Sequence, residues 1–200
     1  MRAWYYPQTG ESMQEAVNRE VLATRTTAGL LDASTLGKID IQGPDAAEFL
    51  NRLYTNGWLK LGIGKCRYGL MLKDDGMVMD DGVTTRLGEY HFHMTTTTGG
   101  AAGVLDWLEE WQQTEWPDLK VYLTSVTEEW SVATLSGPNA SKILKGAGID
   151  ISLDPADFPF MSMQDAHIAG LPVRIFRISF TGELSLSLIH ISEPTRRKRI

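Results

Sequence analysis

The chain has a single cysteine, Cys66, in 200 residues. A lone cysteine excludes an internal disulfide and fits the reducing cytoplasm, the expected location. Lys65 and Arg67 flank it and favour a thiolate. No His or second Cys lies near it in sequence, so a structural thiol is expected. No run of 18 apolar residues is present, which excludes a helical membrane span. Met1 to Pro7 lacks the apolar core of a signal peptide. Basic residues are few: 19 Lys and Arg face 25 Asp and Glu, for a net charge of −6. That balance excludes the basic face of a nucleic-acid-binding domain. The four histidines have no zinc spacing, and no carboxylate or cysteine near His91 and His93 in sequence completes a set, so no metal is expected. No Gly-x-Gly-x-x-Gly follows a strand and no Gly-x-Ser-x-Gly occurs, which excludes a dinucleotide fold and a nucleophile elbow.

What the chain does have is an apolar content of 42%, enough for a sizeable core in one large domain or two small ones. Its organising stretch runs from Tyr68 to Thr98. Tyr68–Leu72 and Met77–Thr85 flank Lys73-Asp74-Asp75-Gly76, and Asp-Gly between apolar runs marks a hairpin. A Gly88-Glu89 turn returns the chain as Tyr90–Met94. Three antiparallel strands follow, with Asp80-Asp81 in the middle one. Successive strand residues point to opposite faces, so one carboxylate of the pair turns inward. A buried carboxylate is costly unless paired, which makes the pair either a functional candidate or a solvated bulge.

Upstream, Trp4-Tyr5-Tyr6-Pro7 reads as an extended aromatic start. Ser12-x-x-Glu15 is a capping box opening a helix over Met13–Thr26, with Val17, Val21 and Leu22 on one face and Gly29 as the stop. Lys38–Gln42 alternates as a half-buried strand, and Gly43-Pro44-Asp45 starts a helix with Ala46, Phe49, Leu50 and Leu53 inward. A Trp-rich helix runs from Ala101 to Thr114, and Leu119–Val126 and Trp130–Leu135 read as strands. Ile41–Leu50 recurs as Leu135–Leu144, a strand, a Gly-Pro turn and a helix each time, which suggests two related α+β subdomains. Residues 147–163 read as an irregular loop and Val173–Phe180 as a strand.

From Leu186 the character changes. Leu186-Ser187-Leu188-Ile189-His190-Ile191-Ser192-Glu193-Pro194-Thr195-Arg196 closely resembles the translation of a sequencing-library adapter, and a basic scrap follows. Residues 186–200 are therefore set aside as an artefact tail.

Several stretches carry a family resemblance: Leu31–Ala46, Gly64–Leu72, Asp80–Glu89, Met94–Gly100 and Phe176–Glu183. They resemble the folate-binding, aminomethyltransferase-like domain of heterotetrameric sarcosine oxidase alpha subunits. More distantly, they resemble the T protein of the glycine cleavage system. The resemblance covers nearly all of residues 1–185. It implies an α+β fold holding two of the family's three subdomains, with antiparallel sheets flanked by helices. Residues 1–36 and 123–185 would form the first and residues 37–122 the second, which carries Asp81.

In that family a flavin elsewhere in the complex (FMN or FAD, with NAD also outside this chain) oxidises sarcosine to an imine. Tetrahydrofolate captures the one-carbon unit as 5,10-methylenetetrahydrofolate and glycine leaves; without folate the imine yields formaldehyde. The implied partners are tetrahydrofolate, the sarcosine-derived imine and the beta, gamma and delta subunits, with no nucleic acid or membrane. Asp81 matches the family's key carboxylate, which would take or stabilise a proton as the nitrogen attacks. Asp80 would orient backbone or face solvent. Tyr68, Val83 and Thr95 match positions lining the folate. Leu36 stands where T proteins carry Met, and Phe180 where they carry Tyr. Glu183 belongs to the matching Thr-Gly-Glu turn. The pterin-anchoring glutamate would stand at position 187, which here is Ser187. A hydroxyl cannot replace a carboxylate accepting two parallel N–H bonds, so folate binding is expected to be poor. A stand-alone aminomethyltransferase and a non-catalytic folate-binding module are the other readings. Gly82, where T proteins carry an apolar residue, leans toward the oxidase. The order of Gly64-Lys65-Cys66-Arg67-Tyr68-Gly69 argues against the module.

Overall fold

The computed structural model describes residues 7–191. Trp4-Tyr5-Tyr6 and the basic end lie outside the described residues. The chain forms two five-stranded antiparallel sheets with flanking helices, the α+β class expected. The first sheet runs β1 (Gly29–Asp32), β7 (Trp130–Ser136), β10 (Ser185–Ile191), β9 (Leu171–Arg177), β8 (Ser162–Ile168) in spatial order. The second runs β3 (Cys66–Leu72), β4 (Val78–Gly88), β5 (His91–Thr96), β2 (Gly37–Gln42), β6 (Tyr122–Ser125).

Helices α2 (Ala46–Leu53) and α3 (Ala101–Glu110) cover one face of the second sheet. The core there holds Ile39, Ile41, Phe92, Met94, Phe49, Leu50, Val104 and Leu108. All four residues expected on the inner face of α2 are buried. One π-helical turn, Trp111–Glu115, continues α3 and stacks Trp111 on Trp116 at 5.0 Å. The first sheet packs on α4 (Ala140–Gly146) through Leu135, Leu144, Phe158, Ile175 and Leu186. A smaller cluster of Cys66, Val132, Met163 and Phe176 joins residues of both sheets.

The internal echo is real in three dimensions. Each sheet contains one strand–Gly-Pro–helix unit, β2 to α2 and β7 to α4. Gly43 has φ 127° and Gly137 has φ 117°, in the region side chains avoid. A Cβ would also collide with the Lys120 carbonyl at the first and the Thr24 carbonyl at the second.

Four sequence expectations need correction. The capping box forms as expected, with Glu15 N–H donating to Ser12 Oγ at 3.3 Å and Ser12 N–H to Glu15 Oε2 at 2.8 Å, and opens α1 (Met13–Thr26). Its apolar face is not core, however: Val21 is 50% and Leu22 62% exposed, and only Ala16 is buried. Gly29 does not stop α1; it opens β1, close against Thr24. The strand β8 falls where an irregular loop and an unassigned stretch were read, because Gln164, Asp165 and His167 interrupt its apolar residues; it is an edge strand. Finally, the stretch set aside from Leu186 onward supplies β10, in the middle of the first sheet, with Leu186 fully buried. Leu186-Ser187-Leu188-Ile189-His190-Ile191 is a short run dominated by Leu and Ile, and a short apolar run of this length makes an interior strand whatever its origin.

Candidate functional site

The Asp74-Asp75-Gly76 turn sets the register of the central hairpin. Lys73 N–H donates to the Met77 carbonyl at 2.9 Å, and Gly76 takes φ 79°. Asp80 then pairs with Met71 and Asp81 with Leu70, so the two carboxylates face opposite sides of the sheet. Asp80 is the inward one, 6% exposed. It does not face solvent: its Oδ1 accepts from the Thr97 hydroxyl at 2.6 Å and its Oδ2 from the Thr97 N–H at 3.1 Å. Those bonds fix the chain as it enters α3.

Asp81 lies half-buried on the other face. The Tyr68 hydroxyl donates to its Oδ2 at 2.5 Å, and this bond raises the Tyr68 pKa above its ordinary value of 10.0. Among the described residues Tyr68 is the one hydrogen-bond partner of the Asp81 side chain. Tyr68 pairs in register with Val83. Thr95 Oγ1 accepts from the Val83 N–H at 3.0 Å and donates to the Val83 carbonyl at 3.1 Å. Tyr68, Asp81, Val83 and Thr95 therefore share one sheet face, and Tyr68 is 52% exposed. Leu36 sits half-buried in the crossover from β1 to β2, whose Thr35 hydroxyl meets that of Thr98 at 3.0 Å.

Phe180 and Glu183 lie in the turn between β9 and β10. Phe180 is 90% exposed. Glu183 accepts from Arg25 at 2.8 Å and lines an open cleft with Val17, Val21 and Thr181. Ser187 lies in β10, buried, opposite Phe176 and Thr134, with its hydroxyl 3.3 Å from that of Thr134.

Sequence reasoning missed what lies beside this row. The polar phase of β2 was expected to face water, but both faces of the strand are covered. Lys38 is fully buried, and its Nζ donates to the carbonyls of Ser34 and Leu36, each at 2.8 Å. Burial pushes its pKa down. Asp40 supplies the carboxylate that looked absent near the histidines: Oδ2 meets His91 Nε2 at 2.8 Å and Oδ1 meets His93 Nδ1 at 2.7 Å. Burial opposes the Asp40 charge, yet these two hydrogen bonds hold its pKa well below the usual carboxylate range. Burial pushes His93 down, against the pull of Asp40. Each carboxylate oxygen is committed to one ring, and among the described residues no group of three His, Cys, Asp or Glu is arranged for a metal. Cys66 is the inert thiol expected: burial pushes it up to about 11. Among the described residues no helix is long and apolar enough to cross a membrane.

Two antiparallel sheets flanked by helices, with paired Gly-Pro helix entries and an acid–tyrosine pair on an open face, define an aminomethyltransferase-like α+β domain. The chain belongs to the GCVT N-terminal domain family, whose profile matches residues 1–196. It is 58% identical over 190 residues to sarcosine oxidase subunit alpha of Corynebacterium sp. (strain P-1), a match covering 94% of this chain and 19% of that protein. It is 34% identical over 167 residues to aminomethyltransferase of Listeria monocytogenes serotype 4a (strain HCC23), covering 84% of this chain and 44% of that protein. The chain thus spans 19% to 44% of the length of these relatives. In structure it is similar to the glycine cleavage system aminomethyltransferase T from Bartonella henselae, with a TM-score of 0.74 and 28% identity over 86% of this chain and 44% of that one. It shares its fold with a chain of the heterotetrameric sarcosine oxidase from Corynebacterium sp. U-96, with a TM-score of 0.60 and 17% identity over 87% of this chain and 82% of that one.

Proposed function

We propose that this chain is the folate-facing part of a sarcosine oxidase alpha subunit and that Asp81 is its catalytic carboxylate. The single observation that carries the reading is the Tyr68–Asp81 pair. A carboxylate with one oxygen bonded to a tyrosine hydroxyl and the other without a partner in the chain can accept an N–H from a ligand on the open face. The 58% identity to the Corynebacterium subunit supports the choice of oxidase over aminomethyltransferase.

Tetrahydrofolate, when bound, supplies the nitrogens that capture the one-carbon unit from the sarcosine-derived imine as 5,10-methylenetetrahydrofolate. Asp81 would hold the reacting amine by accepting its N–H and would take or stabilise the proton that the amine loses. Its negative charge would also favour the cationic iminium carbon. Tyr68 would fix the carboxylate by hydrogen-bonding Oδ2, leaving Oδ1 toward the ligand. Val83, Thr95 and Leu36 would form the wall. The flavin, the NAD and the beta, gamma and delta subunits would belong to the rest of a cytoplasmic complex.

The donor set would suit the reacting end of the ligand and not its ring end. Ser187 offers the pterin a hydroxyl already paired with Thr134, where a carboxylate is needed. An NMR-observed titration of tetrahydrofolate into the chain tests the reading. The expected result is weak binding with shifts at Tyr68, Asp81, Val83 and Thr95, tightened in Ser187→Glu and weakened in Asp81→Asn. Shifts confined to other residues, or no binding by any of the chains, would overturn it.

A further inference from the structure

Lys38 is a fully buried cation without an ion pair among the described residues. Burying an ammonium costs far more than burying a Met of similar length, so its place calls for a role that an apolar side chain cannot fill. Its Nζ donates to the carbonyls of Ser34 and Leu36, two positions of the crossover that carries the chain from the first sheet to the second. The same crossover is tied to the first sheet, where Ala33 N–H donates to the Val132 carbonyl at 2.8 Å and Val132 N–H donates to Ser34 Oγ at 2.9 Å.

Strand register links Lys38 to the acid–tyrosine pair. Lys38 pairs with Thr95, Thr95 is bonded to Val83, and Val83 pairs with Tyr68, which holds Asp81. Lys38 thus stands at one end of the row whose other end is the acid–tyrosine pair. Its ammonium closes the crossover, and Leu36 with it, onto that row.

We infer that Lys38 is a positioning residue for the proposed folate site, holding Leu36 and the 33–36 crossover against the Thr95–Val83–Tyr68 row. The inference rests on the folate reading above. On that reading Leu36 would meet the ligand through an apolar side chain, which has no directional bond of its own to fix its place. The two charge-assisted bonds from Lys38 to the backbone supply that direction.

The test uses the 200-residue chain, unsubstituted and as Lys38→Met and Lys38→Arg. Amide hydrogen exchange at Leu36 reads the crossover, and NMR-observed titration with tetrahydrofolate reads the site. In Lys38→Met, exchange at Leu36 is expected to accelerate and the folate Kd to rise about tenfold, the size of one lost directional contact. Lys38→Arg keeps charge and donors and is expected to return the Kd to within about twofold. A Lys38→Met chain that exchanges faster but binds folate unchanged would show a purely structural lysine and overturn the inference while the folate reading stands. Failure of Lys38→Arg to restore the Kd would overturn it as well, and decides the matter even where the Met variant does not fold. No folate binding by the unsubstituted chain would defeat the folate reading, and the inference with it.

Discussion

The Tyr68 hydroxyl lies 2.5 Å from Asp81 Oδ2, joining neighbouring strands across the face opposite the helices. The hydrogen bond leaves the carboxylate half-open and raises the tyrosine pKa, so the two act as one unit. Removing the hydroxyl frees Asp81 to turn without unfolding anything, because Tyr68 is half-exposed. Tyr68→Phe is expected to change stability by less than about 0.5 kcal/mol. In a full-length alpha subunit within its complex, the same substitution should shift sarcosine-derived carbon from methylenetetrahydrofolate toward formaldehyde. Measuring the two products side by side checks this; an unchanged ratio would remove Tyr68 from the site.

Asp80 differs from its neighbour in what depends on it. Asp80 is buried and its two bonds to exposed Thr97 are part-buried, so Asp80→Ala removes both bonds to a carboxylate. The expected cost is about 1.5–3 kcal/mol, the size of a hydrogen bond to a charged group, against a near-neutral Asp81→Asn. Urea unfolding of the two variants distinguishes them, and equal losses would contradict the opposite-face assignment.

Acid should destabilise the fold in two stages. Burial holds the folded His93 pKa below its ordinary 6.5, so below that pH the unfolded chain binds the proton first. Stability is full above about pH 6.5 and falls as the pH drops below it. Asp40 is held below its ordinary 3.8, so its contribution is present above that pH and is lost as the pH falls through the lowered value. His91 and Arg174 face the same cluster, and both favour the neutral form of His93. His93→Asn keeps a donor near Asp40 but cannot titrate, and should flatten the slope below about pH 6.5. Denaturation midpoints across that range measure it.

Leu186 tests the strand that sequence reasoning set aside. Its side chain is fully buried beside Leu135, Ile175 and Leu144. Leu186→Ala is expected to cost about 2–5 kcal/mol, the usual price of a core cavity. A loss below about 0.5 kcal/mol in urea unfolding would mean that β10 does not carry the first sheet.

Much of the fold was legible because its signals are local. The capping box at Ser12, the Asp-Gly turn at Gly76 and the two Gly-Pro helix entries each act within a few residues, and each appears where the chemistry placed it. Of the candidate site, the hairpin brings Tyr68, Asp81 and Val83 together by register alone, and β5 adds Thr95. Phe180 and Glu183 join them by resemblance alone; in the chain Phe180 is exposed and Arg25 pairs Glu183 with α1.

The amino-acid order by itself determined the capping box of α1, the hairpin register that separates Asp80 from Asp81, and the paired Gly-Pro turns, because periodicity and turn chemistry act over short distances. Tertiary structure decided which faces are covered. It left Val21 and Leu22 of α1 exposed and placed β10 between β7 and β9. It also buried the polar side of β2, turning Lys38, Asp40 and His93 from surface residues into interior ones. Alternation tells a strand's two sides apart, and only contacts between residues far apart in sequence determine whether one side or both meet protein.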